Sequence, residues 1–179
     1  MRNTKNLVIT ALCVAIGVML PLAFHAIPGA GPIFLPMHIS VLICGLICGW
    51  TWGLACGLLT PVLSCLLTQM PPVAMLPGMA AELAVYGAMC GLLIRFIQTK
   101  SPIANLYISL CAAMLAGRIV SGVLNALIFR AGNYSLAIWL TASFVTSLPG
   151  IAIQLVFIPS IVFALHKFGA IDRAVLTSA

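Results

Sequence analysis

From Asn6 to His166 the chain is a succession of long apolar runs, divided by short stretches of Pro, Gly and polar residues and almost free of internal charge. Few structures can house such runs. In hydrocarbon every backbone N–H and C=O must be satisfied within the protein, so only helices or closed barrels cross a bilayer. Barrel strands alternate polar and apolar residues, and these runs do not. At about 20 apolar residues per crossing, helices use up nearly all of the 179 residues. The sequence therefore predicts an all-α integral membrane protein, six transmembrane helices in one compact bundle spanning 1–179, with no room for a soluble domain. Composition agrees: 6% of residues are charged, against about 25% in an average soluble domain.

The predicted spans cover 6–24, 37–48, 54–67, 79–97, 103–129 and 137–166. Pro61 is expected to kink the third, and Pro149 and Pro159 to bend or break the sixth. HAIPGAGPIFLPMH and TQMPPVAMLPG are too rich in Pro and Gly to continue as helix, GWTWG reads as a tight turn, and RAGNYS as a polar turn. The N-terminal twenty residues have the outline of a signal peptide, but Pro21 and the apolar runs that follow favour a retained first helix. Cytoplasmic loops carry the excess of Lys and Arg. With the N-terminus inside, Arg2, Lys5, Arg95, Lys100, Lys167 and Arg173 are cytoplasmic and only Arg130 is external. Both termini are then cytoplasmic, and the Pro- and Gly-rich loops with RAGNYS lie on the outer face.

Within this apolar frame Glu82 is the only acidic residue before Asp172. A carboxylate at membrane depth is costly unless paired or solvated, which makes it a functional-site candidate. Arg118, the cation well inside another span, is its expected partner. Each lies about fourteen residues from the inner end of its helix, roughly 20 Å along the axis at 1.5 Å per residue. The pair either pins two helices or faces a ligand. Asn125 is seven residues beyond Arg118 on the same face, Gln154 falls within the last span, and Asn133 and Tyr134 occupy an outer turn. His38 begins the second span and Gln69 lies in the second loop. Together they outline an outward-facing pocket. His38 could equally cap a helix, and Gln154 could serve as interhelical glue.

Other chemistry is not indicated. No P-loop or Gly-rich phosphate cradle is present, so the chain does not itself hydrolyse ATP. His25, His38 and His166 lack ligand spacing, and Cys44 and Cys48 have no His or acidic residue nearby, so neither a metal site nor a cofactor is expected. The cysteines read as small apolar packing. The net charge of +6 meets lipid headgroups at the span ends and does not point to nucleic acid.

The first span contains ITALCVAIG, in which Ala11 and Ala15 share a helix face, and FLPMHISVLICGLICGWTWGLACGLLTPVLS follows as an apolar helix, a Gly-rich turn and a further helix. With the chain length, six spans and internal termini, this pattern resembles the substrate-binding S component of the energy-coupling factor (ECF) transporters, the prokaryotic vitamin importers of the cytoplasmic membrane. The resemblance implies tight capture of a vitamin or vitamin precursor near the outer face, beneath the loops after helices 1 and 3. It implies docking of Ala11 and Ala15 on a membrane scaffold subunit, and two cytoplasmic ATPases that drive transport while the S component topples to release its ligand. An unpaired Arg118 suits a carboxylate and favours pantothenate. An Arg118 neutralised by Glu82 favours a neutral ligand such as hydroxymethylpyrimidine, a riboflavin-like ring or a cobalamin precursor. Two other classes remain beside it: an autonomous secondary transporter or channel with Glu82 as proton relay, and a membrane assembly protein without a ligand.

Overall fold

The computed structural model describes residues 2–23, 30–97, 99, 101–129, 132 and 134–167. Its helices are α1 (Arg2–Ala23), α2 (Ala30–Phe34), α3 (Pro36–Cys48), α4 (Trp50–Thr68), α5 (Leu76–Phe96), α6 (Pro102–Leu124), α7 (Leu136–Leu140) and α8 (Leu148–Lys167). The α6 helix runs on as a π-helical turn over Asn125–Phe129, and α7 as another over Thr141–Thr146. Among the described residues six helical segments are long and apolar enough to cross a membrane: Asn3–Ala23, Gly31–Cys48, Trp50–Thr68, Leu76–Phe96, Pro102–Phe129 and Leu148–Lys167. Large apolar side chains such as Leu66, Leu67 and Leu127 point outward, as lipid-facing positions do, while glycines, hydroxyl residues such as Thr60 and Ser64, and other apolar side chains share the interior.

The helices differ from expectation mainly at their ends. GWTWG is not a turn: Gly49 alone, at φ 94°, reverses the chain, and Trp50 already begins α4. A positive φ of this kind strains any residue with a Cβ. The α4 helix continues through Pro61, and α8 continues through Pro159. The last span does break, at Ser147, between the π-helical turn and α8. The HAIPGAGPIFLPMH segment, where described, holds the short α2, and Leu35 at φ 50° redirects the chain into α3. Lys100, Arg130, Asn133, Asp172 and Arg173 lie outside the described residues.

Two apolar cores hold the bundle. One, with Cys13, Val14, Val41, Cys44, Cys56 and Leu83, joins α1, α3, α4 and α5. The other, with Leu42, Leu46, Tyr86, Leu106, Leu110 and Ile158, joins α3, α5, α6 and α8. The seam of α3, α4 and α5 is glycine-built. A methyl group on Gly87 would stand 2.9 Å from the Gly53 Cα, and one on Gly53 would stand 2.8 Å from the Gly45 Cα. Small residues let backbones meet in a membrane, where dispersion and weak polar contacts replace the hydrophobic drive. Six of the seven cysteines are buried, five of them in these cores, and Cys44 Sγ takes Thr10 Oγ1 (3.5 Å) and the Trp52 carbonyl (3.7 Å) as neighbours.

Candidate functional site

The α3 helix starts abruptly. Pro36 occupies its first turn, Leu35 precedes it in the left-handed region, and no side chain caps it. A non-glycine residue at this φ costs about 1–2 kcal/mol, and strain of this sort persists only where the surroundings fix it. Here α8 supplies the fixing. Gly150 admits the α2 carbonyls, since a Cβ on it would lie 2.6 Å from Ile33 O. Four residues on, the fully buried Gln154 donates from Nε2 to the Leu35 carbonyl at 3.4 Å. The same carbonyl accepts the His38 amide at 3.1 Å. This junction sets His38 inward, 2% exposed.

His38 then meets α5. Its Nε2 stands 3.8 Å from Glu82 Oε1, and its ring packs edge-on to Tyr86 at 5.3 Å between centroids. Tyr86 OH donates to the same Glu82 oxygen at 3.0 Å. Glu82 and Tyr86 are four residues apart and so share one helix face. The carboxylate thus has two polar neighbours within its own part of the bundle. The expected Glu82–Arg118 ion pair is not formed: no N–O approach between them falls within 4 Å among the described residues, where His38–Glu82 is the contact in ion-pair range. The rotation of each helix about its axis, and not depth alone, decides which groups touch.

Arg118 is held from the other side. It is 4% exposed. Its Nη1 donates to the Ser143 carbonyl in the π-helical turn after α7, and its Cζ lies 5.6 Å from the centroid of the Phe144 ring. Trp139 Nε1 donates to the Arg118 carbonyl at 3.0 Å, and the Trp139 and Phe144 rings meet edge-on at 5.5 Å. Arg118 Nε and Nη2 are buried without a hydrogen-bond partner. These two nitrogens form the side-on edge of the guanidinium, the edge that takes both oxygens of a carboxylate in parallel hydrogen bonds. The neighbouring Gly117 backs onto this region, since a Cβ on it would stand 3.0 Å from the Glu82 carbonyl oxygen. His38 Nδ1 and Gln154 Oε1 are likewise buried and without a partner. A buried polar atom lacking a hydrogen bond costs about 1–3 kcal/mol, so each of these atoms calls for a partner such as water or a polar group of a ligand.

The remaining expected residues are dispersed. Asn125 turns back on its own helix, donating to Ser121 O (2.8 Å) and Oγ (3.3 Å), and covers Gly78. Gln69 ends α4 in the left-handed region and is exposed. Tyr134 is half-buried and lines an apolar groove of about 270 Å3 with Ile119, Val123 and Trp139. Asn133 lies outside the described residues. Tyr86, Ser143 and Phe144 were not anticipated. The i, i+4 spacing from Glu82 could have found Tyr86, but no local signal marks a backbone carbonyl such as that of Ser143. Among the described residues no group of three or more His, Cys, Asp or Glu is gathered to hold a metal.

A family model of the ECF transporter substrate-specific component matches residues 5–162. The chain belongs to this family. It is a substrate-specific subunit of an ECF transporter and a multi-pass membrane protein, consistent with a prokaryotic cytoplasmic membrane. Such components bind the substrate and are not enzymes, the ATPase being a separate subunit. No curated relative and no solved structure matches the chain significantly.

Proposed function

We propose that this subunit captures a carboxylate-bearing vitamin or vitamin precursor, with pantothenate the first candidate, and that Arg118 receives the carboxylate. The observation that carries this reading is the buried side-on edge of Arg118, with Nε and Nη2 unpartnered while Nη1 is anchored on Ser143. Glu82 supports it by making its close contacts with Tyr86 and His38, without a direct ion pair to the guanidinium. Gln154 and His38 would then meet hydroxyl or amide groups of the same ligand through Oε1 and Nδ1. Gln69, Asn125, Asn133 and Tyr134 form the remainder of the proposed binding set.

The proposal extends to transport. The site opens to the outer face, with both termini cytoplasmic and the whole of 1–179 acting as one membrane domain. Ala11 and Ala15 dock on the coupling scaffold, whose two cytoplasmic ATPases drive release. Both alanines are exposed on α1, while Cys13, Val14, Gly17 and Val18 are buried on its other face, so a partner helix can approach them closely.

Equilibrium dialysis with labelled pantothenate tests the ligand, and reconstituted uptake with a scaffold and its ATPases tests the docking face. Saturable binding at one site per chain is expected, with uptake lost and binding retained in Ala11→Trp and Ala15→Trp. Absence of carboxylate binding overturns the ligand reading, and binding lost together with uptake overturns the docking reading.

A further inference from the structure

The segment Leu136–Thr146 has an unusual standing in the bundle. Neither α7 nor the π-helical turn after it contains a buried residue. Yet three contacts from this segment converge on one residue of α6: the Ser143 carbonyl accepts from Arg118 Nη1, the Phe144 ring lies 5.6 Å from Arg118 Cζ, and Trp139 Nε1 donates to the Arg118 carbonyl at 3.0 Å. Trp139 also abuts Gly122, where a Cβ would fall 2.7 Å from Trp139 Cδ1, so no larger residue at 122 would admit this ring.

We propose that Trp139 and Phe144 are specificity-determining positioning residues: they clasp Arg118 so that its Nε–Nη2 edge is aimed at the substrate, and they set how strongly the subunit prefers a carboxylate over a neutral analogue. This rests on the reading that Arg118 receives the carboxylate. An arginine side chain has many rotamers, and freezing it costs affinity unless it is ordered before the ligand arrives. The carbonyl of Ser143 holds one corner, and the ring of Phe144 fixes the plane through a cation–π contact. Trp139 fastens the α6 backbone beneath them. The remaining edge is then ready for two parallel charge-assisted hydrogen bonds. The π-helical geometry of Thr141–Thr146 contributes as well, since π turns break the regular ladder and often mark functional sites. Neither Trp139 nor Phe144 needs to touch the ligand for this role.

The test compares pantothenate with pantothenol, the same molecule carrying an alcohol in place of the carboxylate, by titration calorimetry on the purified full chain. In the wild type pantothenate binds more tightly than pantothenol. In Phe144→Leu, and in Trp139→Phe, which keeps a ring but removes the N–H, this preference falls by about threefold to fivefold, while pantothenol affinity and melting temperature stay at wild-type values. Equal losses for both ligands mean that the segment only supports the fold, and the proposal fails. An unchanged preference in both variants also overturns it. No preference in the wild type overturns the reading of Arg118 itself, which separates the two failures.

Discussion

The two sides of this bundle are joined in different ways. Where α3, α4 and α5 meet, glycines bring backbone onto backbone, and nothing larger than hydrogen fits at Gly53 or Gly87. Where α6 meets Leu136–Thr146, contact runs through an arginine, an indole and a phenyl ring, and the segment itself buries no residue. The first joint is fixed by volume and tolerates no change in spacing. The second is fixed by polar and ring contacts that leave one edge of the guanidinium unpartnered. Glu82, Tyr86 and His38 belong to the rigid side and Arg118 to the adaptable one, so the candidate site lies along the boundary between them. Regions with few buried contacts open at low free energy, which suits the side of a binding site through which a ligand must pass.

Substitutions can break this contrast, the largest effect being expected at the glycine seam. Gly87→Leu drives a side chain into the α4 backbone, and overpacking of a tight interface costs about 3 kcal/mol or more. Thermal unfolding in detergent should show a variant that is grossly destabilised or does not accumulate. A variant of wild-type stability would mean that the seam is not tight. Next comes Arg118→Gln, which removes two charge-assisted donors and should weaken carboxylate binding by about 100-fold, read by titration on the folded variant. A smaller effect is expected from Tyr86→Phe, which leaves one Glu82 oxygen without its hydroxyl donor. Stability should fall by about 1 kcal/mol, measured by chemical or thermal unfolding. The smallest is Val145→Ala on the exposed face of the adaptable segment, where less than about 0.5 kcal/mol is expected. A large loss there would show that the segment is packed as firmly as the seam.

Much of the fold was legible because membrane helices announce themselves by length and composition. Each of the six predicted spans overlaps one of the six candidate crossings among the described residues, although the second crossing joins α2 and α3. Of the predicted sixth span only the Leu148–Lys167 part is a candidate crossing, Leu136–Thr146 being a shorter separate segment. Local backbone detail was less legible. GWTWG read as a turn because two glycines and two interface-prone tryptophans look like one, but only Gly49 requires the positive φ. The break in the last span was read from Pro149 and Pro159. It falls at Ser147, before a proline that sits in the first turn of α8, where a missing N–H is harmless. In the site, Glu82, Arg118, His38 and Gln154 were recognisable because polar groups in apolar spans stand out. Their partners were not. Pairing depends on the rotation of each helix about its axis, which apolar runs on all faces leave undefined, so Glu82 meets His38 and Tyr86 while Arg118 meets Ser143 and Phe144.

The central claim is that a buried guanidinium edge selects a carboxylate. Its most direct test is mass spectrometry of small molecules extracted from the purified wild-type chain and from Arg118→Gln, prepared side by side from cells grown in rich medium. A carboxylate-bearing vitamin or precursor at about one per chain in the wild type, and absent from the variant, is the predicted result. A neutral compound in the wild type, or the same compound at equal stoichiometry in both preparations, would contradict it.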